Sequence, residues 1–251
     1  AASAARAGRR GHALPASVRA VLRIARREPS AILLAAQLAG LLLYPFMPSD
    51  GVGRALFRVF GIAILGLVVL AVRSSPALTW VGVLLGVPAT VLLLIQVVTG
   101  STGLLPYSSA LEAVLYFYAT YALIAYMLED HVITRDELYA VGATFTLAAW
   151  GFAYAYTVCQ AIDPGSFTAA IDPQGQRSWM ELLFLSFTTL SSTGLSDVVP
   201  VRNFARALVM LEQIAGLAYV AMVVSRLVGL LVMNKRADVE GHAPPPGRPR
   251  A

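Results

Sequence analysis

The chain alternates between long apolar blocks and short polar stretches that carry turn residues. A bilayer core is about 30 Å thick, and roughly 20 helical residues are needed to cross it. Several blocks reach or approach that length, and stretches with Gly, Pro and Ser separate them. They are residues 31–47, 56–72, 77–98, 109–128, 138–161 and 204–233. This pattern predicts an all-α membrane protein with six transmembrane helices.

One further apolar block, residues 179–190, is too short to cross a bilayer. The residues that follow it, 191–200, are rich in Ser, Thr and Gly. Irregular backbone at membrane depth is tolerated only where protein buries it or water lines it. A short re-entrant helix and such a loop, held between two full spans, therefore predict a pore helix and a pore-lining loop.

Composition agrees with the pattern. Of the 251 residues, 57% are hydrophobic and 13% are charged, whereas soluble domains carry about 25% charged residues. The surplus apolar surface must face lipid, which argues against a soluble protein. There is one cysteine, and the three histidines are scattered. We therefore expect no catalytic residues, no cofactor and no metal site beyond any permeant cation, and we expect that the protein is not an enzyme.

The net charge of +5 is concentrated near the two ends of the chain. Basic residues that flank apolar spans are typical of cytoplasmic segments, so both termini are predicted to be cytoplasmic. This explanation favours anionic membrane lipids over nucleic acid as the partner of the basic residues. Residues 1–29 are predicted to be a cytoplasmic tail with an amphipathic interfacial helix, although a solvated basic tail is the alternative. Residues 235–251 are predicted to be a disordered cytoplasmic tail.

The segment at 182–200, LLFLSFTTLSSTGLSDVVP, resembles the pore helix, filter and following loop of potassium channels, especially the prokaryotic two-helix pore domain family. The matching positions run without a gap and are Phe184, Ser186, Phe187, Thr189, Leu190, Gly194, Asp197 and Pro200. The resemblance covers roughly residues 138–233. It implies a homotetramer in which four copies of one strand line an axis and replace the water around a cation with rings of carbonyl oxygens.

The resemblance also assigns roles to individual residues. It implies ion-binding positions at Ser192, Thr193, Gly194, Leu195 and Ser196, with K⁺ and also Na⁺ as permeant monovalent cations. Asp197, Thr189 and Glu212 are expected to support the filter. Gly216 stands where the family has its gating-hinge glycine, and close helix packing is the alternative explanation for a glycine there.

The chain departs from the family at the filter itself. Leu195 replaces a tyrosine that helps to hold the filter width, and Ser196 replaces a second glycine. A residue other than glycine at positive φ costs about 1 kcal/mol, so we expect strain or a flipped peptide at Ser196. Both changes predict weaker potassium selectivity than the family norm. They also leave open a nonconducting channel-fold sensor or scaffold.

The two halves of the membrane region are predicted to differ in role. Residues 131–234 form the pore domain, with an outer helix at 138–161, a pore helix at 179–190, a filter at 192–197 and an inner helix at 204–233. Residues 30–130 form a four-helix membrane domain. Its fourth helix, 109–128, carries Glu112 and no arginine, so little voltage dependence is expected. High Ala, Arg and Gly usage suggests a bacterial inner membrane protein.

Overall fold

The computed structural model describes residues 28–46, 51–73, 77–100, 103–129 and 134–241. Within these ranges the chain is almost entirely helical. The helices, in chain order, are α1 (Pro29–Leu43, continued by a 3₁₀ turn at Tyr44–Phe46), α2 (Gly51–Arg73), α3 (Thr79–Thr99), α4 (Leu105–Glu129), α5 (Arg135–Ile162), α6 (Trp179–Leu190) and α7 (Asn203–Gly241). Two short strands, β1 (Phe167–Ala169) and β2 (Val198–Pro200), flank α6. The predicted interfacial helix of residues 1–29 lies almost wholly outside the described residues.

Five of these helices are long and apolar enough to cross a membrane: α1 with its 3₁₀ turn, α3, α4, α5 and residues 203–229 of α7. These five confirm membrane-capable helices at five of the six predicted spans. Helix α2 has 23 residues, but its described apolar part is the shorter stretch Val59–Ala71. The α6 helix is also apolar and short, as the sequence pattern predicts for a re-entrant segment.

Helix α5 is the central element of the fold, because it packs against α1, α4, α6 and α7. Its start is fixed by Thr134, whose hydroxyl accepts a hydrogen bond from the Glu137 amide at 3.2 Å. Such an N-cap satisfies one of the amides that a helix start leaves unpaired. Beside it, the Asp136 carboxylate accepts hydrogen bonds from the amide and hydroxyl of Ser30 at 3.0 and 2.9 Å. The starts of α1 and α5 are therefore tied together at one end of the molecule.

Helix α7 is longer than predicted. The apolar pattern ends near residue 233, but the helix continues to Gly241, so residues 235–241 are helical where a disordered tail was expected. The extension contains Lys235, Arg236 and Ala237, which are good helix formers, and it ends at a glycine, which is common at helix ends. Residues 242–251 of the predicted tail lie outside the described residues.

The two strands form an antiparallel pair in which Phe167 lies opposite Pro200 and Ala169 lies opposite Val198. One strand belongs to the segment between α5 and α6, and the other lies immediately after the loop that follows α6. This pairing joins the outer end of that loop to a segment about thirty residues earlier. The Val201 amide extends the junction by donating to the Ser166 carbonyl at 2.9 Å.

Candidate functional site

The short helix α6 has a well-defined start. Ser178 and Glu181 form a reciprocal capping box: the Glu181 amide donates to the Ser178 hydroxyl at 3.3 Å, and the Ser178 amide donates to the Glu181 carboxylate at 2.6 Å. This arrangement satisfies two helix-start amides at once. The helix is therefore fixed at residue 179, which agrees with the bounds 179–190 predicted from the apolar pattern.

After Leu190 the chain leaves the helix and folds back onto its last turn. The amides of Thr193 and Gly194 both donate to the Thr188 carbonyl, at 2.9 and 3.0 Å. The Ser192 amide donates to the Thr189 carbonyl at 3.0 Å. The described residues contain no cis peptide bond, and in a trans peptide the N–H and C=O groups point in opposite directions. The carbonyls of Ser192 and Thr193 must therefore point away from α6.

The backbone of this loop alternates between left-handed residues and a residue of ordinary, negative φ. Ser192 has φ of 59° and Gly194 has φ of 66°, while Thr193 between them lies outside the left-handed region. Residues 191–195 are all exposed in the single chain. A strand with this alternation turns its amides to one side and its carbonyls to the other. The carbonyls of Ser192 and Thr193 therefore lie on the exposed side of the loop, facing away from α6.

Of the two expectations for Ser196, positive-φ strain is wrong, because Ser196 has no positive φ, and the flipped peptide stays a prediction. Among the described residues other than glycine, only Asp172 and Ser192 have positive φ. The Ser196 hydroxyl instead accepts a hydrogen bond from the Val198 amide at 3.1 Å. This bond lies at the start of β2. The strained non-glycine position of the loop is therefore Ser192, at its inner end.

Glu212 lies on α7 directly behind the pore-helix segment and is completely buried. Its two carboxylate oxygens accept hydrogen bonds from the Ser186 hydroxyl on α6 and the Tyr156 hydroxyl on α5. The Ser186 hydroxyl also lies 2.8 Å from the Ala149 carbonyl of α5. One carboxylate therefore joins three helices at the level of the loop.

Gly216 lies one turn further along α7, at the closest approach between α7 and α6. A Cβ atom placed on it would lie 2.1 Å from the Leu190 carbonyl oxygen. That atom is backbone, so a flexible side chain cannot move to make room. Of the two explanations for Gly216, close helix packing therefore accounts for the glycine. The gating hinge stays a prediction.

The remaining predicted site residues lie at the two ends of the loop. Thr189 is a buried residue of α6, and its carbonyl accepts the Ser192 amide. Asp197 is exposed at the outer end, directly before β2. Leu195 is 76% exposed, so its side chain does not pack against α6 in the way expected of the family's tyrosine. The structure therefore brings Thr189, Glu212 and Gly216 together behind the loop and leaves Asp197 and Leu195 at its outer face.

No local sequence pattern indicates the role of the arginine that holds the segment between β1 and α6. Arg177 is 5% exposed, and its guanidinium donates to the carbonyls of Ile171 at 3.2 Å, Gly175 at 2.7 Å and also Asp172. It also forms an ion pair with Glu181 at 3.3 Å. The i to i+4 spacing of Arg177 and Glu181 was visible in the sequence, but the carbonyl contacts depend on the fold of the loop.

Comparison with known proteins agrees with this geometry. Residues 113–233, just under half of the chain, match the model of the protein family described as Ion channel. No curated protein and no solved structure gives a significant match to the chain. The matched region includes most of α4, all of α5 and α6, the loop after α6, and the apolar part of α7. These helices are long and apolar enough for an integral membrane protein, and the similarity of residues 113–233 to the ion channel family supports a channel-like role in cation transport.

Proposed function

We propose that the chain is one subunit of a homotetrameric channel that passively conducts monovalent cations through the loop Ser192–Ser196. The observation that carries the proposal is the pair of amides, from Thr193 and Gly194, that donate to one carbonyl of α6. They fix the adjoining carbonyls outward on an exposed surface. A row of outward carbonyls from one chain supplies one quarter of each coordination ring in a fourfold filter.

The exposed side of α7 supports self-association. One row of its exposed apolar residues is spaced alternately by four and three, which is the period of helix-to-helix packing. The residues are Met210, Ile214, Leu217, Ala221, Val224 and Val228. Other exposed residues of α7 provide a second surface for the pore or for lipid. A second copy of α7 is the occupant that we propose for this stripe.

The proposed channel has six spans per subunit, because the 23 residues of α2 make a helix about 35 Å long. Both termini lie in the cytoplasm, next to anionic lipids, and the membrane is a bacterial inner membrane. The permeant ions are K⁺ and, with reduced discrimination, Na⁺. The four-helix domain does not sense voltage, because α4 carries no arginine or lysine.

The decisive experiment is ion flux into liposomes that contain the purified protein, combined with reversal potentials in defined K⁺ and Na⁺ gradients. We expect cation flux, a tetramer by mass measurement, and a permeability ratio well below that of a strictly selective potassium channel. A Thr193→Pro variant, which removes one of the two anchoring amides, should lose flux. An Asn203→Pro variant outside the loop is the matched control, because Asn203 is the first residue of α7 and proline is tolerated at the first position of a helix.

Each outcome is informative. Strict potassium selectivity would contradict the predicted effect of Leu195 and Ser196. A well-folded tetramer without flux, under conditions in which a control channel conducts, would favour the nonconducting sensor or scaffold. A stable monomer would overturn the proposed function itself.

A further inference from the structure

We infer that the four-helix domain encloses a second, non-conducting cation site, in which a hydrated monovalent cation sits against the carboxylate of Glu112. This site lies between α4 and α5, away from the loop that follows α6. The inference rests on one buried carboxylate and on the polar atoms around it that have no protein partner.

Glu112 is 2% exposed on α4, within a helix long and apolar enough to span the membrane. The ion pairs between side chains of the described ranges join Arg177 to Glu181, Arg202 to Asp163, and Arg226 to Glu137. Glu112 takes part in none of them. The Tyr154 hydroxyl of α5 faces its carboxylate. A buried carboxylate inside a membrane is costly unless a cation or a proton balances it.

Two buried hydroxyls on the same helix as Glu112, those of Ser109 and Tyr116, also lack a hydrogen-bond partner among the described residues. The Trp150 indole nitrogen lacks one as well, but an indole N–H only donates, so it can bond to a water of the cation and not to the cation itself. Ser109, Glu112 and Tyr116 are spaced by three and four residues, so they lie on one face of α4. Unpartnered polar atoms in a native interior usually mark a bound water or ion.

Aromatic rings close the site from the α5 side. The Tyr116 ring is stacked parallel to the Tyr154 ring, with centroids 5.5 Å apart. The Trp150 ring meets Tyr116 edge-on at 5.8 Å. These contacts bring Tyr116 and Trp150 next to the tyrosine that reaches Glu112. Aromatic faces carry negative potential and attract cations.

The chemistry of the lining favours a monovalent cation. The oxygen atoms come from one carboxylate and two hydroxyls, which are hard ligands. A single carboxylate balances a single positive charge. No group of three or more His, Cys, Asp or Glu residues occurs within the described ranges, as a multi-carboxylate divalent site would need.

The test uses the purified full chain and compares thermal unfolding in NaCl, KCl and choline chloride at constant ionic strength. The variants are Glu112→Gln and, as a matched control, Glu129→Gln at the exposed end of α4. Any cation bound in the proposed filter stabilises all three proteins alike. We expect wild type and Glu129→Gln to share a second, saturable stabilisation by Na⁺ or K⁺. In Glu112→Gln the cation concentration that gives half of this stabilisation should rise at least tenfold.

A second measurement covers the case in which Glu112→Gln does not fold. The Trp150 ring packs against Tyr116, so in a protein with Trp80→Phe and Trp179→Phe its emission, then the only tryptophan signal, should change as Na⁺ replaces choline. Tyr116→Phe should then shift the half-saturation concentration by several-fold, while Tyr121→Phe, at an exposed position of α4, should not. Identical cation titrations in wild type and Tyr116→Phe, or a stability that responds to pH and not to the cation, would overturn the inference. Loss of ion flux alone would affect only the proposed channel.

Discussion

Two buried glutamates, Glu212 on α7 and Glu112 on α4, have different surroundings. Both oxygens of Glu212 accept hydrogen bonds from side chains on two other helices. Glu112 faces the Tyr154 hydroxyl, and the hydroxyls of Ser109 and Tyr116 on its own helix have no partner among the described residues. The first carboxylate is satisfied by the protein itself and therefore positions helices. The second is the carboxylate against which we propose a bound cation. The same residue type thus has a structural role on α7 and a proposed binding role on α4.

The largest expected effect concerns the packing beside Glu212. Gly216→Ala forces a Cβ against the Leu190 carbonyl, 2.1 Å away, and overpacking of this kind costs about 1–3 kcal/mol. We expect a clearly lower unfolding temperature and reduced flux. The control is Gly229→Ala on the same helix, where a Cβ meets no atom within 4 Å, and it should be neutral or stabilising. If both variants are equally stable and only gating changes at 216, the glycine is a hinge and not a packing residue.

The next largest loss of stability is expected from substitutions that remove the hydrogen bonds of Glu212. Glu212→Gln replaces an acceptor by an amide nitrogen that faces a hydroxyl, and leaving such a buried group unsatisfied costs about 1–3 kcal/mol. Tyr156→Phe removes one donor and should cost less. In a double-mutant cycle read by thermal unfolding, the two changes should be coupled, since they share one hydrogen bond. Additive losses would show that Tyr156 and Glu212 do not act together.

A smaller effect is expected at the strained position of the loop. Ser192→Gly relieves a positive φ and should stabilise the protein by up to about 1 kcal/mol. Ser196→Gly should give no such gain, because Ser196 has no positive φ and would lose its hydrogen bond to Val198. Unfolding temperatures of the two variants, measured at the same K⁺ concentration, decide between these positions. A gain at 196 and none at 192 would contradict the observed backbone.

The smallest expected effect is the response to voltage. One elementary charge that crosses the membrane field contributes about 2.3 kcal/mol per 100 mV, and α4 has no basic residue to supply it. Conductance in planar bilayers should therefore change little with membrane potential. A steep conductance–voltage curve would mean that charge outside α4 moves through the field.

Much of the helical layout could be predicted from the sequence, because apolar block length and turn residues determine which segments can cross a bilayer. The bounds of α6 and the Thr134 cap follow from local patterns of a few residues. The end of α7 could not be predicted from the apolar block, because residues beyond that block also favour a helix, which continues to Gly241.

The candidate site was predictable only in part. A sequence motif predicts the loop at residues 192–196, but the position of backbone strain depends on which loop amides donate to the Thr188 carbonyl. The partners of Glu212 are 26 and 56 residues away in sequence, so no local pattern indicates them. The clash that explains Gly216 requires knowing which backbone atom of α6 lies against it. These features come from tertiary packing, which a single sequence does not reveal.

The two tyrosines that contact the buried glutamates, Tyr154 and Tyr156, are separated by one residue on the central helix α5. Consecutive helical residues are about 100° apart, so their side chains leave the helix on nearly opposite sides. One faces Glu112 on α4 and the other faces Glu212 on α7. A helix is stiff over so short a distance, so α5 cannot rotate or slide at one glutamate without disturbing the other. A rotation of α5 imposed at Glu112 would therefore also displace the tyrosine that bonds to Glu212.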